Sequence, residues 1–256
     1  MKLLSQIEAL VRKAGKIVLS AQDIEARTQF KTSPADMVTA YDIQVEEFLK
    51  ENLPKLLEGS VFFGEEEKEN LSPDQGWVFV VDPIDGTANF VREFRQSAIS
   101  VALAKDGQVE YAVVFDPYKD EMFTAKRGEG AFLNGQPIHV SDRPLSQGIF
   151  GMGTTPYNKE LHPRTMKITE QLFERSCDFR RMGAAALDLC ALACGRLDLF
   201  FECQLSPWDY AAGILLVTEA GGVISTLEQK PVVLTKKCSV WASNQINKDI
   251  LQEIEW

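Results

Sequence analysis

Histidine is nearly missing from this chain. Only His139 and His162 occur in 256 residues, so a zinc site has few ligands to recruit, and mechanisms that need an imidazole base or a phosphohistidine have little to work with. Cysteine is sparse and badly spaced for metal or disulfide chemistry. The five residues Cys177, Cys190, Cys194, Cys203 and Cys238 contain no CxxC pair, and their odd number suits reduced thiols. Cys190 and Cys194 lie one helical turn apart, but in an Ala/Leu run, where they read as small buried apolar side chains. No stretch approaches the ~20 apolar residues of a membrane span, and the amino terminus is interrupted by charges throughout, unlike an export signal. A cytoplasmic location without membrane contact is therefore expected. Positive charge is also in deficit. A net charge of −10 disfavours nonspecific contact with nucleic acid or anionic lipid, yet an acidic protein still binds a phosphate ester when cations bridge the two.

Acidic residues at strand ends are what the chain has instead. In WVFVVDPIDGTANF (77–90) an apolar run ends on Asp82, Pro83 is expected to stop the ladder, and Asp85, Gly86 and Thr87 follow. Two carboxylates at the end of one strand repel each other unless a cation sits between them. Hard oxygen donors suit Mg²⁺, which keeps waters and shares its shell with substrate phosphate. Gly86 lets backbone approach a ligand, and a helix start offers N–H groups to an anion. Taken alone, Asp82 and Asp85 are also ordinary turn residues. Likewise Glu65 and Glu66 of FFGEEE read as a solvated loop, and Ser206, Pro207 and Asp209 of SPWDYAAG as a helix cap.

The coarse organisation is layered α and β. Periodicity predicts helices over the first residues (Leu3, Ile7, Leu10, Ala14, Ile17 and Val18 on one face) and over 37–53. Strands are expected at 61–63 and 77–81, flanking a charged loop at 65–76, and then at 98–105, 108–116, 121–125 and 131–133. The Asp106-Gly107 and Asn134-Gly135 pairs predict antiparallel hairpins. Helices at 159–176, 183–195, 207–220 and 246–254 alternate with strands at 199–201 and 240–242. The chain reads as one unit, with a soft division into a metal-binding half (1–145) and an α/β half (146–256) near 144–153.

Taken together, KTSPADMVTAYD (31–42), GEE, VDPIDGTANF, GAAALDL and WDYAAG, at their mutual spacings, resemble the inositol monophosphatase family. The resemblance implies an αβαβα sandwich with mixed and largely antiparallel sheets, and a lithium-sensitive, Mg²⁺-dependent phosphatase carrying two to three ions per subunit, as a homodimer. Glu65, Asp82 and the Ile84 carbonyl would hold one Mg²⁺, and Asp82, Asp85 and Asp209 a second, with Glu65 sharing a weaker third; Glu66 would support rather than ligate. Ions ~3.5–4 Å apart would activate water and stabilise the leaving alkoxide. Gly86 and Thr87 would bind phosphate through backbone N–H groups, and Thr87 with Asp42 would orient the attacking water. Asp85, Ala185, Glu202 and Asp209 would border the substrate, Glu202 accepting from polyol hydroxyls. Inositol 1-phosphate is the expected ester among small phosphorylated polyols and sugars. Fructose 1,6-bisphosphate, 3′-phosphoadenosine phosphate and histidinol phosphate are sister alternatives: the absence of a His before Trp208 and the poorly matching GMGTTPY segment (151–157) depart from the family's inositol pattern, and basic residues lining 151–164 would favour a bisphosphate. Arg180 and Arg181 are read either as solvated or as near a subunit contact or substrate. A further reading is a scaffold that regulates transcription or RNA processing through a protein partner.

Overall fold

A computed structural model describes residues 2–31, 33–67 and 74–255. The first half builds α1 (Lys2–Leu19), a small hairpin of β1 (Thr28–Phe30) and β2 (Met37–Thr39), and α2 (Ala40–Asn52). A seven-stranded sheet follows: β3 (Val61–Gly64), β4 (Trp77–Asp85), then, after the five-residue α3 (Thr87–Val91), β5 (Ala98–Lys105), β6 (Gln108–Asp116), β7 (Glu121–Lys126), β8 (Ala131–Leu133) and β9 (Gln136–Ile138). The second half supplies β10 (Ile149–Met152), α4 (His162–Phe173), β11 (Asp178–Arg180), α5 (Ala185–Ala193), β12 (Leu199–Leu205), α6 (Pro207–Glu219), β13 (Val223–Ser225) and β14 (Cys238–Ser243). Its five strands lie in the order β11-β10-β12-β14-β13.

Side-chain alternation along the strands makes the layers. Phe79 and Val81 of β4, with Val101, Leu103, Val113 and Phe115, pack under Ile7, Val11, Ala14 and Val18 of α1 and Val45 and Leu49 of α2. Val78 and Val80, with Ala102, Ala112 and Val114, face the other way onto α5 and α6. Both faces of β4 are covered, so its sequence is a continuous apolar run rather than an alternating one. α5 is buried at every position, apolar all round save for Asp188, because the second sheet covers it through Phe200, Val240 and Ala242. The far face of that sheet, Phe150, Leu199, Phe201 and Trp241, packs on Ile168 and Leu172 of α4. The result is the αβαβα sandwich, with mixed sheets: β3 pairs parallel to β4, β10 parallel to β11 and β12, and the other pairings are antiparallel.

Three expectations need correction. The helix placed over 37–53 starts at Ala40, because Thr39 accepts from the Asp42 N–H while the Asp42 carboxylate takes the Thr39 N–H at 2.8 Å; Met37–Thr39 is strand instead. Pro83 does not end the ladder: Asp82 pairs with Ser100 and Asp85 with Ala98 across a bulge. The final helix is a 3₁₀ turn, Ile250–Glu253, anchored by Leu251. The remaining helices are shorter than expected, 162–173 and 185–193. The middle of the charged loop, 68–73, lies outside the described residues.

Candidate metal and phosphate site

The bulge in β4 creates the site. In a regular strand, residues three apart point to opposite faces. Between Asp82 and Asp85 two residues, Pro83 and Ile84, oppose the single Ile99, and the extra residue resets the period. Both carboxylates therefore turn the same way. Asp209 meets them from the first turn of α6, and oxygens of the three lie within 4.8 Å of one another. Helix capping and convergence coexist at Asp209, since its Oδ2 accepts the Ser206 N–H at 2.7 Å.

Each carboxyl is raised above its ordinary range. For Asp82 burial comes first, then the charges of Glu65, Asp85 and Asp209; for Asp209 burial, then Asp85. Asp85 is pushed up to about 7 by burial, although the Ala186 N–H at the start of α5 donates to its Oδ2 at 2.8 Å and favours the anion. Three anions crowded in a dry cleft are unstable together unless a cation joins them. The donor set is all hard oxygen, so it fits a divalent cation of the Mg²⁺ kind.

Glu65 lies beside this triad rather than in it. Its N–H continues the β3–β4 ladder to Val81 O at 3.2 Å, which sets it next to Asp82. Its Oε1 accepts from the Lys31 ammonium at 3.2 Å, and Lys31 also pairs with Glu66. Burial alone would lower the Lys31 pKa, but the two glutamates outweigh it and raise it. An ammonium thus already sits where acidic side chains converge. The Thr87 hydroxyl donates to the Ile84 carbonyl at 3.1 Å and stands 3.4 Å from Asp42 Oδ1. Asp42 is fully buried, and burial lifts it to about 7 against the stabilising Thr39 bonds. Gly86, at φ +85°, turns the chain into α3; a Cβ there would meet Ala184 Cβ and Gln96 O at 3.0 Å. Only glycine fits this close approach.

The opposite wall comes from the second half. Ala185 and Glu202 line the same cleft, with Gly86, Thr87, Tyr157, Arg181 and Asp188. Glu202 Oε1 accepts the Thr155 N–H at 2.8 Å. Burial pushes Glu202 up to about 7, opposed by Thr155 and by Arg181. The structure thus gathers Glu65, Asp82, Ile84, Asp85, Gly86, Thr87, Ala185, Glu202 and Asp209 around one cleft, with Asp42 behind Thr87. Arg181 points there, donating to Thr154 Oγ1 at 3.2 Å, whereas Arg180 pairs with Asp178 outside it. Asp188 was absent from the residues expected at the site. It is buried, its Oδ1 has no hydrogen-bond partner, and burial, then Glu202 and Asp85, raise its pKa strongly. A lone acid inside the apolar ALDLCALA run was the available signal.

The inositol monophosphatase family model matches residues 2–255. The chain belongs to the inositol monophosphatase family. It is 40% identical over 218 residues to the Nus factor SuhB of Escherichia coli K12, covering 84% of this chain and 81% of that protein. It is 40% identical over 224 residues to the inositol-1-monophosphatase of Rhizobium meliloti, covering 86% and 84%. The crystal structure of the suhB protein from Bartonella henselae superposes with a TM-score of 0.91 at 32% identity, over 99% of this chain and 98% of that one. The family is metal-dependent, which agrees with the oxygen donors gathered here; and no helix among the described residues is long and apolar enough to cross a membrane.

Proposed function

We propose that this chain is a cytoplasmic, Mg²⁺-dependent phosphatase of small phosphate monoesters, acting as a homodimer, with inositol 1-phosphate as its substrate. The observation that carries the reading is the Asp82–Asp85–Asp209 triad, with Asp82 and Asp85 buried and Asp209 partly buried. Asp82, Asp85 and Asp209, with Glu65 and the Ile84 carbonyl, would hold two to three Mg²⁺ ions. When bound, such ions neutralise phosphate oxygens, acidify water and stabilise the departing alkoxide.

The residues of the chain do the positioning. Backbone N–H groups of Gly86 and Thr87 at the start of α3 face the phosphate, since first-turn donors have no intrahelical acceptor. The Thr87 hydroxyl, held between the Ile84 carbonyl and Asp42, spends its proton on those acceptors and offers its lone pair to a hydrogen of the attacking water. Asp42 is thereby a proton acceptor behind the nucleophile. Glu202 accepts from hydroxyls of the alcohol and, with Asp188, makes that wall acidic, which favours a neutral polyol over a second phosphate. The name of the Rhizobium relative supports the inositol ester. The acidic wall weighs against fructose 1,6-bisphosphate and 3′-phosphoadenosine phosphate. Lithium inhibition follows if Li⁺ competes for one of the Mg²⁺ positions.

Phosphate release from a panel of esters, with and without Mg²⁺, tests this. Rapid, Mg²⁺-dependent turnover of inositol 1-phosphate is expected; fast turnover of a bisphosphate or of histidinol phosphate beside inert inositol phosphates overturns the substrate. A second reading, a regulator working through a protein partner, is favoured by the Nus-factor name of the Escherichia coli relative. It would add to catalysis rather than replace it, because the cation-binding acids are in place. Asp82→Asn separates the two, since a partner-binding role survives the loss of turnover.

A further inference from the structure

One face of α2 grips the turn that carries Glu65. Asp42, Glu46 and Lys50 follow at i, i+4 and i+8, so they stack along a single stripe. Asp42 reaches the Thr87 hydroxyl. Glu46 Oε2 accepts the Glu66 N–H at 3.0 Å. Lys50 Nζ donates to both Glu67 oxygens at 2.7 Å.

Glu46 is the unexpected member. It is 4% exposed on a helix whose other buried positions are Tyr41, Asp42, Val45 and Leu49, and a buried carboxyl costs more than an aliphatic side chain of similar size. Burial, above all, and the neighbouring glutamates raise its pKa to about 7. Gly64 makes room for it, since a Cβ there would lie 2.4 Å from Glu46 Oε2. The two peptide groups flanking Glu65 are therefore both held. The Glu65 N–H is bound by Val81 O of β4 and the Glu66 N–H by Glu46, which fixes the backbone on either side of the Glu65 Cα. The side chain lines the cleft, its Oε1 accepting from the Lys31 ammonium at 3.2 Å.

We propose that Glu46 is a positioning residue that presents Glu65 to the divalent cation by anchoring the Glu66 N–H. The inference rests on the reading that Glu65 is a cation ligand. The role belongs to an acceptor oxygen rather than to negative charge, so glutamine replaces it and leucine does not. Removing a partner that orients a metal ligand weakens cation binding about 10- to 100-fold.

Isothermal titration of the full-length protein with MgCl₂ tests this, alongside thermal melting without cations. Glu46→Leu is expected to bind Mg²⁺ about tenfold or more weakly, to keep or raise its melting temperature, and to recover most of its kcat at saturating Mg²⁺. Glu46→Gln is expected to retain wild-type affinity within about twofold. Wild-type affinity in Glu46→Leu overturns the inference, and so does a Glu46→Gln variant as weak as the leucine one. Lys50→Ala provides a second check where leucine prevents folding: loosening the next rung weakens Mg²⁺ binding by a smaller factor, and an unchanged affinity there counts against the grip. Absence of any Mg²⁺ heat in the wild type removes the cation reading itself, whereas normal wild-type binding with an unaffected Glu46→Leu removes this inference alone.

Discussion

Asp85 at the end of β4 and Glu202 on β12 are both buried carboxyls facing one cleft, and burial lifts both to about 7. Their surroundings differ. Asp85 stands among Asp82 and Asp209, with oxygens within 4.8 Å of one another, and its donors are backbone N–H groups at the start of α5 rather than a cationic side chain. Glu202 is met by donors, the Thr155 N–H at 2.8 Å and its hydroxyl at 3.4 Å, with Arg181 nearby. A raised pKa therefore does not mark a metal ligand by itself. The inventory of partners does: the Asp82–Asp85–Asp209 wall is short of positive charge, whereas Glu202 is met by the Thr155 donors and by Arg181.

The largest effect should come from the deficient wall. Asp82→Asn is expected to lower kcat/KM by ~10³-fold or more, several kcal/mol of lost transition-state stabilisation, measured as phosphate release. The same variant should melt at a higher temperature than the wild type without cations, because one of three crowded anions is gone. A lower melting temperature would break the comparison. Next comes pH. Asp85 and Glu202 have folded pKa values raised from the ordinary carboxyl range to about 7. Their contribution to stability is full below the unfolded value and is lost as pH rises through about 7. The cation-free protein should lose stability between about pH 4 and pH 7, at about 2–4 °C in Tm per kcal/mol. Mg²⁺ should remove the part due to the triad and leave the part due to Glu202.

A smaller effect is expected at Glu202. Glu202→Gln should raise KM for a polyol ester about tenfold, the equivalent of one hydrogen bond to a charged group, with kcat less affected and Mg²⁺ affinity unchanged in calorimetry. A loss of Mg²⁺ affinity would place Glu202 with the ligands. The smallest effect belongs to the surface. Arg92 and Glu25 pair at 3.0 Å with both side chains mostly exposed, so Arg92→Ala should shift unfolding free energy by at most ~0.5 kcal/mol.

Legibility in the sequence followed locality. The strands 98–105, 108–116 and 131–133 have the bounds that their apolar runs and Asp-Gly and Asn-Gly turns suggest, because hairpin register is set by adjacent residues. Asp82, Asp85 and Asp209 stood out because each follows an apolar run or opens a helix, Asp82 at the β4 bulge, Asp85 at the end of β4 and Asp209 in the first turn of α6. What stayed hidden depends on distant partners. β10, β11 and β13 are three or four residues long and are strands only because neighbouring strands bond to them. Pro83 looked like a stop, yet a bulge tolerates it, since the residues there are out of the ladder. Thr155, at φ +44° despite its β-branch, takes that conformation against Glu202, 47 residues away. Glu46 reads as one more charge on a helix until the turn it holds is seen beside it.

Asp209 serves two duties at once, its Oδ2 taking the Ser206 N–H at the head of α6 while its carboxylate converges with Asp82 and Asp85. Asparagine in its place would still supply a carbonyl oxygen to that N–H while carrying no negative charge. A single-base codon change could thus silence hydrolysis and leave the central helix properly begun, giving lineages of this fold a short evolutionary path from enzyme to catalytically dead adaptor without passing through an unfolded intermediate.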